Sequence, residues 1–306
     1  MNSLELTPME FNFFEAPNKI TMCNLSMDNI VVAELDFSFD GDFTIDRKSF
    51  EMLLKLKTDR KLEIKQHLTI KSKEGKFKAN YIEKNKPIVS DEAFEFEHEY
   101  SMAVLRKAAR YVGKQASRPQ LMGVIFDNLG NVYGSDAFKL YKHEVVVGQP
   151  TRYWSVPVDF LNLIKSDTTA KIKFSNSKVM FEKDYKAISS IYAGPIPNFD
   201  KLINSIDNKN RLVVKAQEEM SFFKSDYVEI HIRPTFAEYV FKDQINEFIV
   251  KQEQENSFEG DYVFSSDHFM TLVSTYESFE LQLNDEVRPA LVEVGKDKVV
   301  ILPIKG

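Results

Sequence analysis

The chain has 306 residues, 43% of them hydrophobic, enough to bury more than one modest core. A net charge of −6 excludes a generally basic nucleic-acid coat, although a local basic stripe remains compatible with it. The single cysteine, Cys23, excludes an intrachain disulfide framework and suits a reducing compartment.

In chain order, the apolar run 20–23 around Cys23 reads as core. Residues 43–54 then read as a strand end, a capping residue (Asp46) and the start of an amphipathic helix. An alternating strand follows at 61–65 and another at 76–82. Polar breaks at 83–87 and 90–92 close this part. The next opens with a strand at 93–96 and a helix predicted over 101–115, then strands at 121–127 and 131–135. At 154–164 the strand–cap–helix motif returns with Pro157 at the cap, followed by strands at 171–174 and 187–192. After a polar break at 205–210 it comes a third time at 262–273, capped by Ser265, followed by strands at 279–283 and 299–303.

Ile45, Val156 and Phe264 hold equivalent places in the three copies, 111 and then 108 residues apart. That period is too long for a solenoid unit, so the repeat predicts three similar domains in tandem, 1–92, 93–207 and 208–306. The middle domain reads as two half-units of strand, helix, strands, helix, strands. In the first and third, residues 8–12 and 218–222 stand where the opening helix belongs, so both domains read as shortened.

Local chemistry for an enzyme is absent from the pattern. There is no glycine-rich phosphate loop, and the five histidines (His67, His98, His143, His231, His268) are scattered rather than set at metal-ligand spacing. Glu95 and Glu97 alternate on a strand, which reads as a solvated face. No apolar segment approaches 18 residues, so no membrane span is predicted and the chain reads as cytosolic. The positive signal is the helix over 101–115. Met102, Leu105, Ala109 and Val112 make its apolar stripe, while Arg106, Lys107, Arg110 and Lys114 share another side. Such a side can track backbone phosphates without reading sequence, and Lys165, Lys48 and Lys55 could extend it.

Residues 117–126 (Ser-Arg-Pro-Gln-Leu-Met-Gly-Val-Ile-Phe) and 132–140 (Val-Tyr-Gly-Ser-Asp-Ala-Phe-Lys-Leu) resemble the bacterial DNA sliding clamp, the beta subunit of replicative polymerase III. Segment 196–203, with its Ile-Pro-Asn-Phe start, and the ending Leu302-Pro303-Ile304-Lys305-Gly306 are similar to family segments in the same order. The resemblance implies an α+β clamp fold: three similar domains with antiparallel sheets outside and helices inside, two chains closing a ring. It implies a processivity factor rather than an enzyme, encircling double-stranded DNA in a sequence-independent way and needing neither metal nor cofactor.

Partner peptides, from DNA polymerase and the clamp loader, would bind a groove. By resemblance that groove comprises Leu121, Ser135, Ala137, Phe138, Lys139, Leu140, Pro197, Lys201, Leu202, Val300, Ile301, Leu302, Pro303 and Ile304. Phe138 and Lys139 depart from the family's histidine and arginine, and Gly306 replaces an apolar terminus. The short length suggests a compact bacteriophage version in an infected bacterial cell. The alternative reading is a clamp-like adaptor or decoy that binds such peptides without forming a ring.

Overall fold

The computed structural model describes the backbone of residues 9–13, 19–24, 29–34, 43–45, 61–64, 68–72, 75–79 and 92–304, apart from 165, 167, 184, 222 and 223; side chains are described at 69, 78 and across that last span. The chain forms two compact units: Met1–Met102 with Val156–Ile191, and Ala103–Ser155 with Tyr192–Gly306.

The first unit holds an eight-stranded antiparallel sheet. Strands β1 (Met9–Phe13), β2 (Lys19–Asn24), β3 (Asn29–Glu34) and β4 (Phe43–Ile45) form one half, in the order β4-β1-β2-β3. Strands β13 (Thr169–Phe174), β14 (Lys178–Glu182) and β15 (Tyr185–Ser190), with β8 (Phe96–Ser101), form the other. Strand β3 meets β15 antiparallel, Ala33 opposite Tyr185. Alternation drives the placement: on β13, Ala170, Ile172 and Phe174 are buried while Thr169 and Lys171 face solvent. Lys171 lies opposite Glu99 and pairs with Glu97 at 2.6 Å, so this side of β8 is a charge-laddered, solvent-facing row, and Glu95 precedes the strand. A separate three-stranded sheet contains β5 (Lys61–Ile64), β6 (Leu68–Ser72) and β7 (Gly75–Ala79).

The second unit repeats the plan. Strands β9 (Gly123–Asp127), β10 (Val132–Ser135), β11 (Lys139–His143) and β12 (Tyr153–Pro157) join β21 (Ser278–Leu283), β22 (Ala290–Val294), β23 (Asp297–Ile301) and β16 (Asn210–Lys215). Here β11 meets β23, Lys139 opposite Ile301. Strands β17 (Tyr227–Arg233), β18 (Phe236–Lys242), β19 (Glu247–Glu253) and β20 (Gly260–Ser265) form a four-stranded sheet. Strand β9 is buried at every position, as a strand covered on both faces must be.

Helices are few among the described residues: α1 (Met102–Ala109), α2 (Val158–Leu163), α3 (Phe199–Asn204) and α4 (Ser266–Val273). None is long and apolar enough to cross a membrane. The motif at 154–164 and 262–273 folds as read, a strand running into α2 and α4; the helix read after Ile45 lies outside the described residues.

The structure sharpens the sequence expectations at four points. The helix over 101–115 stops at Ala109, because Tyr111 leaves the helix to stack on Tyr141 in the core, ring centroids 5.3 Å apart. The apolar face therefore uses Ala108 rather than Ala109. The strand expected at 93–96 runs instead from Phe96 to Ser101, paired throughout with β13. Of the two opening helices read as abbreviated or missing, the first is replaced at 9–13 by a strand paired with β2 and β4, and the second is reduced to a single 3-10 turn at Glu218–Ser221. The closing half-units of residues 61–79 and 169–190 also have three strands, not two: β6 and β14 lie beyond the sequence reading, each separated from the next strand by only two residues.

Candidate functional site

Strands β10 and β11 are joined by a turn whose conformation its own side chains enforce. Asp136 Oδ1 accepts the N–H groups of Phe138 and Lys139, both at 2.8 Å. Ser135 Oγ accepts from Ala137 N–H and donates to the Lys139 carbonyl. Ala137 sits at φ +80°, a left-handed conformation that costs a residue with a Cβ of order 1 kcal/mol. The turn thereby pushes Phe138 outward, 53% exposed, with its ring stacked beside His268 on α4 at 6.4 Å between centroids. Lys139 points inward instead. It is buried, with its ammonium 2.8 Å from Asp267 and 6.0 Å from the centre of the Tyr111 ring, so it clamps α4 to the turn.

The C-terminal segment is stitched alongside. Leu302 N–H donates to the Phe138 carbonyl, Pro303 bridges to Phe264, and Ile304 N–H donates to the Val263 carbonyl. Beneath the turn lies an apolar cluster of Leu121, Ile125, Tyr133, Leu140, Phe199, Ile203, Leu291 and Val300, with Ala137 packed against it. Helix α3 is capped by the Asn198 side chain on Lys201 N–H. It is fixed underneath by Asp200, which meets Lys142 at 2.6 Å and the Tyr133 hydroxyl at 3.2 Å.

The fourteen residues read as a groove thus divide in two. Leu121, Ser135, Lys139, Leu140, Val300 and Ile301 are buried and form the floor, with Ala137, Leu302 and Pro303 half-buried. Phe138, Pro197, Lys201, Leu202 and Ile304 are exposed. His268, one of the five histidines scattered along the sequence, lies beside Phe138; its only sequence signal for this place is its position in the third strand–cap–helix copy. Asp136 was not singled out either. Burial works to raise its pKa, but hydrogen bonds from His268 and from the Lys139 and Phe138 backbone outweigh that and hold it below the usual carboxylate range.

The basic residues read as a phosphate-tracking stripe do not act alike. Arg106, Arg110 and Lys114 are exposed. The Arg110 guanidinium also reaches the Ser274 carbonyl and the Thr275 hydroxyl, at 3.3 and 3.5 Å. Lys107 turns to a buried carboxylate, Asp297, at 2.9 Å. Lys165, Lys48 and Lys55 lie outside the described residues. Asp297, 8% exposed in its side chain, gathers four donors: Lys107, the Tyr141 and Tyr276 hydroxyls at 2.9 and 3.0 Å, and His143 at 2.6 Å. Burial opposes its ionisation, yet the His143, Lys107 and Tyr141 hydrogen bonds prevail and bring its pKa down to about 2.

Because the folded pKa lies below the ordinary carboxylate value of 3.8, this network stabilises the fold fully above that value. The contribution is lost as pH falls toward about 2. A shift of this size corresponds to about 2 kcal/mol. Denaturant unfolding of the unmodified chain is expected to show that loss across this window. An Asp297→Asn variant is expected to be less stable at neutral pH and to lack the acid-dependent component; an unchanged pH profile would assign the acid sensitivity elsewhere.

No protein-family model matches the chain, and no curated protein matches its sequence. Solved structures match its fold along almost its whole length. The DNA polymerase III beta subunit of Thermotoga maritima is 16% identical, with 100% of this chain and 94% of that one covered at a TM-score of 0.78. The DNA polymerase III subunit beta of Pseudomonas aeruginosa is 14% identical over 100% and 94%, TM-score 0.82. The Helicobacter pylori beta clamp, solved with a DNA ligase peptide bound, is 15% identical over 99% and 93%, TM-score 0.76. The fold of this chain is therefore the sliding-clamp fold, as the resemblance at 117–140 implied.

Proposed function

We propose that the chain is a DNA sliding clamp: a non-catalytic processivity factor that works in the cytoplasm, encircles duplex DNA as a ring of two copies and holds the replicative polymerase there. The observation that carries this reading is the coincidence of fold with beta clamps along almost the whole length of both chains. In this reading residues 1–92, 93–207 and 208–306 are the three clamp domains. Arg106 and Lys114, with Arg110, would face phosphates, whereas Lys107 serves chiefly to hold α1 to β23 through Asp297. Sequence-independent contact of this kind suffices when retention is topological rather than chemical.

The groove beside Phe138 would receive the short apolar peptides of polymerase and clamp loader. A relative of the same fold binds a DNA ligase peptide. A floor of buried apolar residues with a few exposed anchors is what concentrates binding energy in two or three side chains.

Retention on DNA tests the topological reading. Loaded onto a nicked circular plasmid by its clamp loader, the protein is expected to stay with the circle through gel filtration in high salt. It is expected to leave once the plasmid is cut. Equal retention on circle and linear DNA would mean ordinary surface binding and would defeat the proposal.

A further inference from the structure

We propose that the pocket beside Ile304 takes a basic side chain, lysine or arginine, flanking the apolar anchors of a partner peptide; this rests on the groove reading above. The pocket has a volume of about 700 Å³. Its polar wall carries Glu229, Asp261 and Glu286, and its apolar rim is made by Val287 and Ile304, 58% and 41% exposed.

Three features fit a cationic, amphipathic occupant. The first is charge. Against three carboxylates the lining sets one imidazole, His231, which lies 2.8 Å from Asp261 and 3.4 Å from Glu229. Arg233 and Lys242, outside the lining, pair with Asp261 and Glu229 at 2.9 and 2.8 Å, so the carboxylate left to attract a cation is Glu286. Glu286 lines the pocket, makes no ion pair among the described residues and is exposed. The second is the apolar rim. A lysine or arginine lays its methylene stem along such surface while its charged head reaches polar partners.

The third is continuity. Ile304 belongs both to the pocket and to the groove segment. It is two residues from Leu302, whose N–H is bonded to Phe138. Two extended residues span roughly 7 Å, so a peptide anchored at Phe138 reaches the pocket within a few residues.

The test measures fluorescence anisotropy of labelled ten-residue peptides on the full chain. The peptides share a Leu-Phe core and carry three lysines or three glutamates at one end or the other. In low salt, one of the lysine-flanked peptides is expected to bind about tenfold tighter than its glutamate counterpart, with the gap closing in high salt. The chain is acidic overall, so a general attraction must be separated from the pocket. Glu286→Lys is therefore compared with the same reversal at the exposed Glu182 on β14. The preference is expected to fall severalfold in the first and to persist in the second. Parity in the unmodified chain, or equal effects of the two reversals, would overturn the pocket assignment while leaving the groove standing. Failure of every peptide to bind would remove the groove, and this inference with it.

Discussion

Gly134→Ala is expected to cost the chain most of its stability. A Cβ at this position would lie 2.1 Å from the Ala108 carbonyl oxygen, 3.0 Å from its carbonyl carbon and 3.1 Å from the Tyr111 Cβ. The nearest obstacles are backbone, so no rotamer change relieves them. Helix α1 would have to lift off β10 by more than an ångström. It would take with it Leu105, Ala108 and Tyr111, all at most 1% exposed, and strain the Lys107–Asp297 contact. Overpacking of a side chain into a core costs about 1–3 kcal/mol, and a backbone clash of this depth should exceed it, at about 4 kcal/mol or more. Against the 5–15 kcal/mol roughly typical of a whole domain, that leaves little. Gly295 gives the contrast. Its φ of +60° favours glycine, but a Cβ there meets nothing within 4 Å. Gly295→Asn should therefore cost only about 1 kcal/mol. Urea unfolding separates the two; a wild-type midpoint for Gly134→Ala would contradict the packing described.

In the two-copy ring proposed above, Ile249→Pro is expected to convert the dimer into a monomer without unfolding it. In both eight-stranded sheets the third strand of one half-unit pairs with the last strand of another: β3 with β15, β11 with β23. By that rule two half-units are left with an edge lacking a strand partner among the described residues, β19 and β7. A second copy can satisfy both edges, and a twofold arrangement uses the contact twice. Aligning the hairpins on their turns transfers the β11–β23 register to the new pair. It sets Glu247 opposite Lys78, Phe248 opposite Phe77 and Ile249 opposite Lys76. Exposed Glu247 and exposed Lys78 then meet with opposite charge.

The surface beside β19 is apolar in a way that an edge facing water would not favour. Ile249 is 48% exposed, Ile245 at the hairpin tip stands out, and Val213 lies on β16, whose carbonyl accepts from the Gln252 side chain of β19. The choice of proline follows from the ladder. Asp243 N–H donates to the Asn246 carbonyl and Gln254 N–H to the Thr235 carbonyl. Counting by twos between them points the N–H groups of Glu247, Ile249 and Lys251 away from β18. Proline at 249 therefore spares the β18–β19 hairpin and removes a donor only from the outer edge. At about 3 kcal/mol per interface, self-association should weaken by more than about a hundredfold. Unchanged self-association with an intact fold would place the copy-to-copy contact elsewhere.

Much of this architecture was legible because it repeats. Ile45, Val156 and Phe264 mark strand ends in all three copies, and tertiary context could not obscure a signal given three times. Single-copy signals fared worse. The helix predicted to 115 had helical periodicity throughout, but the burial of Tyr111 against Tyr141 prevailed over local preference beyond Ala109. Motif order grouped segments that the fold also brings together, but it could not tell their buried positions from their exposed ones. Val300 and Ile301 look like Leu302 in sequence and differ only by being inside β23. The Asp297 network left no trace in sequence, since its donors come from positions 107, 141, 143 and 276 and meet only in the folded sheet. Lys107 accordingly read as a surface cation when its ammonium in fact pairs with a buried carboxylate.

Light scattering of the unmodified chain across a concentration series tests the ring most directly. A mass of twice 35.4 kDa that persists on dilution is the predicted result. A chain that stays at 35.4 kDa throughout would contradict the closed ring and, with it, topological retention on DNA.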